Sequence, residues 1–207
     1  MSKITSIEQQ KNNEYRFNIF LNNKFAFGLD ASICYKYKLE TEMELDEYFI
    51  EAILKAEEKD KASNYAMYLL AKKDRTKKEI TIKLKDKGFD DEIIHSVMDK
   101  LEEYNYINDE AYCEKYINDK TKFSKYGVNK IKLKLYAKGV DKEIISKEIV
   151  KIDNDLELEN ALVLAQKKLS SIKESDKYKI KAKLSNHLMT KGFSYDTIRK
   201  VFSQLEL

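Results

Sequence analysis

The chain has 207 residues, 43% of them hydrophobic and 36% charged, with 39 basic side chains against 36 acidic ones and no proline. Such a composition suits helices with broadly solvated faces and argues against a turn-rich sheet sandwich. It contains no run of 18 apolar residues, and its opening MSKITSIEQQ lacks the apolar core of a secretory signal, so a cytoplasmic location is expected.

In chain order, ITSIEQQ, EYRFNIFL and KFAFGLD alternate or run apolar and aromatic. The latter two, separated by Asn22–Asn23, predict a β-hairpin, with ITSIEQQ as a third strand. A helix is expected from about Asp30 to Tyr37, and another begins near Leu45 or Asp46.

Beyond it a repeat takes over. Gly88, Gly139 and Gly192 lie in KGFDDEII, KGVDKEII and KGFSYDTI, 51 and 53 residues apart, and a fixed period of this kind marks a repeat architecture. Each glycine follows a lysine (Lys87, Lys138, Lys191) and precedes an apolar residue (Phe89, Val140, Phe193). One position further on stands a helix N-cap type (Asp90, Asp141, Ser194). Glycine closes a helix by taking the left-handed conformation, and the Asp or Ser then accepts hydrogen bonds from the next helix. Apolar residues recur four and eight positions before each glycine: Leu84 and Ile80, Leu135 and Ile131, Leu188 and Leu184. Others recur six and thirteen after: Ile94 and Leu101, Ile145 and Ile152, Ile198 and Leu205. Those offsets place them on one face of each helix.

A further helix precedes each pair, over Ala62–Lys73, Asp109–Lys122 and Leu156–Leu169. Thr76 and Glu79 in TKKE form a capping box for the second helix of the first unit. The fold class expected is mainly α: three tandem three-helix repeats in an elongated, curved array behind a small N-terminal hairpin or three-stranded segment. The divisions are 1–45 for the strand-forming segment with its short helix, 46–104 for repeat 1 with a leading helix, 105–152 for repeat 2, and 153–207 for repeat 3.

The chain offers little material for chemistry. Cys34 and Cys113 are its only cysteines and His95 and His187 its only histidines, none at ligand spacing from another. GxGxxG, the P-loop, GxSxG and HExxH are all absent. No catalytic residue, metal or cofactor is expected, and both cysteines read as small buried hydrophobes.

Charge is unevenly distributed. From Lys120 to Lys138 there are seven lysines and no acid, and from Lys177 to Lys191 five lysines and no acid. The third helix of repeat 1, Asp90–Glu103, is acidic instead. Position minus five from each glycine is Lys83, Lys134 and His187, and position minus one is Lys87, Lys138 and Lys191, one helical turn apart. A basic stripe recurring along an array suits a long polyanionic track, whether nucleic acid or the acidic groove of a protein filament. Tyr126, Tyr136 and Tyr178 lie among the lysines, where they could stack on bases.

The order and spacing of these motifs resemble the RecX family of recombination regulators over essentially the full length. The resemblance rests on AMYLLAKKDRTKKEI (66–80), LKDKGF (84–89), YINDEAYCEKYI (106–117), GVNKIKLKLYAKGV (127–140) and KLSNHLMTKGFSYDTIRKVF (183–202). EYRFNIFLNNKFAFGLD is similar to the strand-forming extension of members from low-GC Gram-positive bacteria. Two positions depart from the family's pattern. Arg75–Thr76 replaces arginine–serine and Asn108–Asp109 replaces paired acids, and both changes keep a capping side chain.

The resemblance implies a non-enzymatic monomer that lies in the helical groove of the RecA filament on single-stranded DNA. It would there damp ATP hydrolysis, co-protease activity and strand exchange, and so modulate recombination and the SOS response. The residues expected at that contact are Lys83, Lys87, Lys130, Lys134, Lys138 and Lys191, with Arg75 and Lys78 beside them. The competing expectation is a protein that binds DNA directly without RecA, since helices joined by a glycine turn also describe a helix-turn-helix.

Overall fold

The structure is a computed structural model that describes residues 1–207. By its internal contacts the chain forms two compact units: Met1–Lys73 with Thr81–Glu103, and Asp74–Ile80 with Tyr104–Leu207.

The first unit opens with an antiparallel sheet built from β1 (Ser2–Gln10), β2 (Asn13–Leu21), β3 (Lys24–Asp30) and the two-residue β4 (Glu44–Leu45), in the order β3-β2-β1-β4. The predicted hairpin and third strand are present; β4 is an addition, too short to leave a periodic signal. Asn22 and Asn23 both have positive φ, 49° and 62°. That pair of angles defines the turn whose twist matches its strands, and asparagine tolerates it. The helix α1 (Ala31–Lys36) follows, capped by Asp30, whose carboxylate accepts from the Ser32 N–H.

One face of the sheet is sealed by Ile4, Ile19 and Leu29 packing with Ile33 of α1, Leu45, and Ile53 of α2 (Glu47–Lys72). Each such side chain contributes roughly 1.5–3 kcal/mol of hydrophobic stabilisation. A buried carboxylate joins α2 to the sheet. Glu57 accepts the Asp30 N–H at 2.8 Å and pairs with Arg16 at 2.8 Å and Lys61 at 3.2 Å. The leading helix expected from residue 46 and the segment expected over 62–73 are one continuous helix of 26 residues. The intervening KAEEKDKASN contains neither glycine nor proline to break it.

The other helices are α3 (Lys77–Asp86), α4 (Asp91–Glu103), α5 (Asp109–Lys122), α6 (Val128–Ala137), α7 (Lys142–Ile149), α8 (Asn154–Leu169), α9 (Lys177–Lys191) and α10 (Tyr195–Gln204). They follow the predicted three-helix rhythm. Gly88, Gly139 and Gly192 have φ of 88°, 79° and 94° and close α3, α6 and α9 as expected. Asp141 and Ser194 cap α7 and α10 through their side chains. The apolar positions four and eight before each glycine are fully buried in all three repeats. In the second unit, Cys113, Ile117, Ile131, Leu135, Val140 and Ile145 form the core of α5–α7. Ala161, Ala165, Leu188, Phe193, Ile198 and Val201 form that of α8–α10.

Candidate partner-binding surface

The Lys–Gly turns do more than end helices. In the second unit each receives the first turn of the second helix of the preceding repeat. At the end of α6, the Thr76 hydroxyl donates to the Lys138 carbonyl at 2.7 Å. At the end of α9, the Gly127 N–H donates to the Lys191 carbonyl at 3.0 Å and the Asn129 N–H to that of Gly192 at 3.0 Å. The incoming helix is also capped by a carboxylate of the repeat it meets. Asp109 of α5 accepts the Lys77 N–H at 2.9 Å, and Glu157 of α8 accepts the Val128 N–H at 3.1 Å. These bonds satisfy the free N–H groups that every helix leaves at its start.

The joints decide what the basic side chains can do. Lys138 is three-quarters buried, pairs with Glu79 at 2.7 Å and lies over the rings of Tyr112 and Tyr116. Burial opposes its charge, but hydrogen bonds to Glu79 and Tyr112 outweigh that cost and raise its pKa. Glu79 in turn completes the predicted capping box, accepting the Thr76 N–H at 3.3 Å while Thr76 Oγ1 accepts the Glu79 N–H at 3.2 Å. Lys130 donates to the Thr190 carbonyl at 3.0 Å and, with Lys191, covers Tyr126. The stem of Lys78 packs over Gly139. His187, at the third minus-five position, is half-buried, and burial followed by the charges of Lys191 and Lys168 pushes its pKa down.

Lys138, Lys130 and Lys191 are thus part-covered at the seams between repeats, whereas Lys134 and Lys87 are exposed, as is Lys78 although its stem lies against Gly139. Lys83 and Arg75 are half-buried. Lys87 lies over Tyr65 at 5.3 Å from the ring centre. Of the tyrosines expected among the lysines, Tyr126 is covered, whereas Tyr136 and Tyr178 are exposed.

An exposed apolar pair lies on α6. Leu133 is 69% exposed and Tyr136 42%, one helical turn apart and with Lys134 between them. An apolar pair on a solvated helix gains nothing from its position unless something covers it. Sequence reasoning missed Leu133, although a signal was available. In VNKIKLKLYA the apolar residues fall at 131, 133 and 135, and only the first and last of these share a helix face. The remaining conspicuous apolar side chain in this stretch is Phe123, 82% exposed at the end of α5.

The thiols offer no reactivity. Cys113 is fully buried and burial pushes its pKa up to about 11; Cys34 is half-buried and shifted the same way by the same cause. Both stay protonated at neutral pH. No helix is long and apolar enough to cross a membrane.

Comparison with known proteins agrees with this architecture. Residues 2–46 match the family described as Regulatory protein RecX N-terminal domain. Residues 62–101, 108–147 and 155–202 match the first, second and third three-helix domains of RecX. The chain is 38% identical to a protein named Regulatory protein RecX from Clostridioides difficile (strain 630), covering 99% of this chain and 96% of that one. It is 39% identical to another of that name from Clostridium perfringens (strain 13 / Type A), covering 99% and 97%. Among solved structures, one described as the crystal structure of regulatory protein RecX superposes with a TM-score of 0.81 at 28% identity, over 98% of this chain and all of that one. RecX from Lactobacillus salivarius gives 0.69 at 30% identity, over 73% of this chain and 98% of that one.

Proposed function

The chain belongs to the RecX family of regulatory proteins, and from that premise we propose that it binds the RecA filament on single-stranded DNA, lying in its groove, and slows ATP hydrolysis, co-protease action and strand exchange. The observation that carries this reading is the α6 face, where exposed Leu133 and Tyr136 flank an exposed Lys134. Apolar side chains ringed by basic ones fit an acidic protein groove better than a phosphate backbone alone. Lys134 supplies the accessible charge on α6, and exposed Lys78 and Lys87 with half-buried Arg75 and Lys83 are the further basic side chains assigned to the contact. Lys130, Lys138 and Lys191 support the contact by fixing the repeats that present it.

Regulation of recombination and of the SOS response in the cytoplasm follows from that role. The test is the ATPase activity of RecA on single-stranded DNA with this protein titrated in. Wild type should inhibit, and a Leu133→Ala/Lys134→Glu variant with unchanged circular dichroism should need about tenfold more protein for the same inhibition, as loss of two interface anchors implies. Equal inhibition by the folded variant would reject the α6 face, and no inhibition by wild type would reject the RecA reading. Fluorescence anisotropy with labelled DNA and no RecA addresses direct DNA binding. Tight binding with a steep salt slope would favour that reading instead.

A further inference from the structure

The Lys–Gly turn occurs three times, and its three copies are alike in backbone. The residue after the glycine donates back into the helix in each: Phe89 to Leu84 at 3.3 Å, Val140 to Leu135 at 3.2 Å, Phe193 to Leu188 at 3.2 Å. In the first two the preceding lysine lies over a tyrosine of its own repeat's first helix, Lys87 over Tyr65 at 5.3 Å and Lys138 over Tyr112 at 5.4 Å; in the third, Lys191 lies over Tyr126 of the incoming segment at 6.0 Å. Tyr65 stacks on Tyr68, and Tyr112 stacks on Tyr116 in the same way, with ring centres 6.4 Å and 6.1 Å apart.

They differ in what covers them. A Cβ placed on Gly139 would meet Lys78 at 2.1 Å, and one on Gly192 would meet Lys130 at 2.3 Å, both from the helix start seated there. A Cβ on Gly88 would meet nothing within 4 Å. The first turn is therefore the same socket with no helix in it.

We infer that the Lys87–Gly88 turn is a docking socket for the first turn of a helix from a partner protein, one with a Ser or Thr N-cap and a Glu three residues on. Of the two seated helices, the one at Lys138–Gly139 supplies the template, because the other starts with Gly127 and carries Lys130 where the first has Glu79, leaving the turn's lysine without an acid from it. At Lys138–Gly139 the seated helix starts with Thr76, whose hydroxyl bonds the turn's carbonyl, and Glu79 pairs with the turn's lysine. Lys87 is exposed and presents the same charge over the same kind of ring, so a glutamate at that place in the incoming helix is complementary to it. Gly88 leaves the room that the seated backbone needs. The single start of a second-helix in this chain that meets no following repeat, that of α9, carries Lys177 and Lys179 in its first turn and would bring like charge to Lys87. That start lacks the glutamate that pairs with the turn's lysine at Lys138–Gly139, so a partner carrying one matches exposed Lys87 better than a second copy does. The socket shares no residue with the α6 face, and peptide binding reads the first while inhibition of ATP hydrolysis reads the second, so the two tests can fail separately.

The probe is a lactam-stapled helical peptide of residues 74–86, DRTKKEITIKLKD, whose helicity is checked by circular dichroism, titrated into the isotopically labelled full-length chain. Amide shifts should move at Lys87, Gly88 and Phe89 and on the α2 turn carrying Tyr65. A Lys87→Glu chain should bind at least fivefold more weakly. A peptide carrying Glu79→Lys should fail on the wild-type chain and recover binding to the Lys87→Glu chain. Shifts elsewhere, no shifts at all, or binding indifferent to both charge reversals would overturn the inference. So would concentration-dependent self-association in sedimentation that Lys87→Glu abolishes, because it would assign the socket to a second copy.

Discussion

Four glycines separate the two demands that the helix joints make on the backbone. Gly88 needs its positive φ but has empty space around it, whereas Gly127 has an ordinary φ of −74° and a Cβ position 2.5 Å from the backbone of Gly192 and Phe193. Gly192 carries both demands, with φ of 94° and Lys130 backbone nitrogen 2.4 Å from its Cβ position. Alanine in the left-handed region costs about 1 kcal/mol. Forcing a methyl into a packed backbone contact costs about 1–3 kcal/mol. At about 3 °C per kcal/mol for a chain of this size, Gly88→Ala should lower the melting temperature by about 3 °C, Gly127→Ala by about 3–9 °C, and Gly192→Ala by about 6–12 °C. Gly139→Ala should fall between the first and the last. Its φ is 79°, and of the Lys78 atoms against its Cβ position, Cδ at 2.1 Å can swing aside whereas Cβ at 2.5 Å moves only with the seated helix. Thermal melts followed by circular dichroism would measure all four. If Gly192→Ala were no worse than Gly88→Ala, the seated helix would not be in the turn and the joint described above would be wrong.

Two further outcomes follow from buried or half-buried ionisable groups. Glu57→Gln should cost about 3 kcal/mol in urea denaturation, because it strips the charge that pairs with Arg16 at 2.8 Å beneath the sheet; this is the low end for a broken buried pair, since Arg16 keeps some exposure. A loss below about 1 kcal/mol would show that α2 is held to the sheet by Ile53 and its neighbours alone. For His187, burial and then Lys191 and Lys168 depress the folded pKa below the unfolded value near 6.5. Its contribution to stability is therefore complete above pH 6.5 and is lost as pH falls through the folded pKa. Wild type should lose more stability than His187→Gln between pH 7 and pH 5, and parallel pH profiles for the two would contradict that assignment.

The repeat was legible because its determinants are local. A left-handed glycine, a cap residue two positions on and apolar side chains at helical spacing are all set within about two helices, and the glycine conformations, the Asp141 and Ser194 caps and the buried positions before each glycine stand where the periodicity placed them. Asn22–Asn23 announced the hairpin for the same reason. The two-residue strand β4 left no trace, because its pairing with Ser2 and Lys3 is fixed by tertiary packing. The continuity of α2 was legible too, because nothing between residues 46 and 62 breaks a helix, but the repeat's own signal starts only at Ala62. The basic stripe was half legible. Spacing put Lys134 and Lys138 in line, but it could not reveal that Thr76 and Glu79, some sixty residues upstream, occupy the second of them.

That occupation changes what the lysine count means. Lys138 is neutralised by Glu79, and Lys115, Lys147 and Lys151 pair with Asp74, Glu110 and Glu148 in turn. Part of the positive charge in the second unit thus holds its own helices. A partner recognised by charge alone would meet a weaker field than the sequence suggests, and at physiological salt that field fades within about 8 Å. The α6 face does not share this weakness. Burial of Leu133 and Tyr136 depends on area and hardly on salt, while Lys134 beside them adds orientation and a faster encounter. A contact with an apolar centre and one or two accessible lysines at its rim is the anatomy of a protein interface, and phosphate has nothing to offer Leu133.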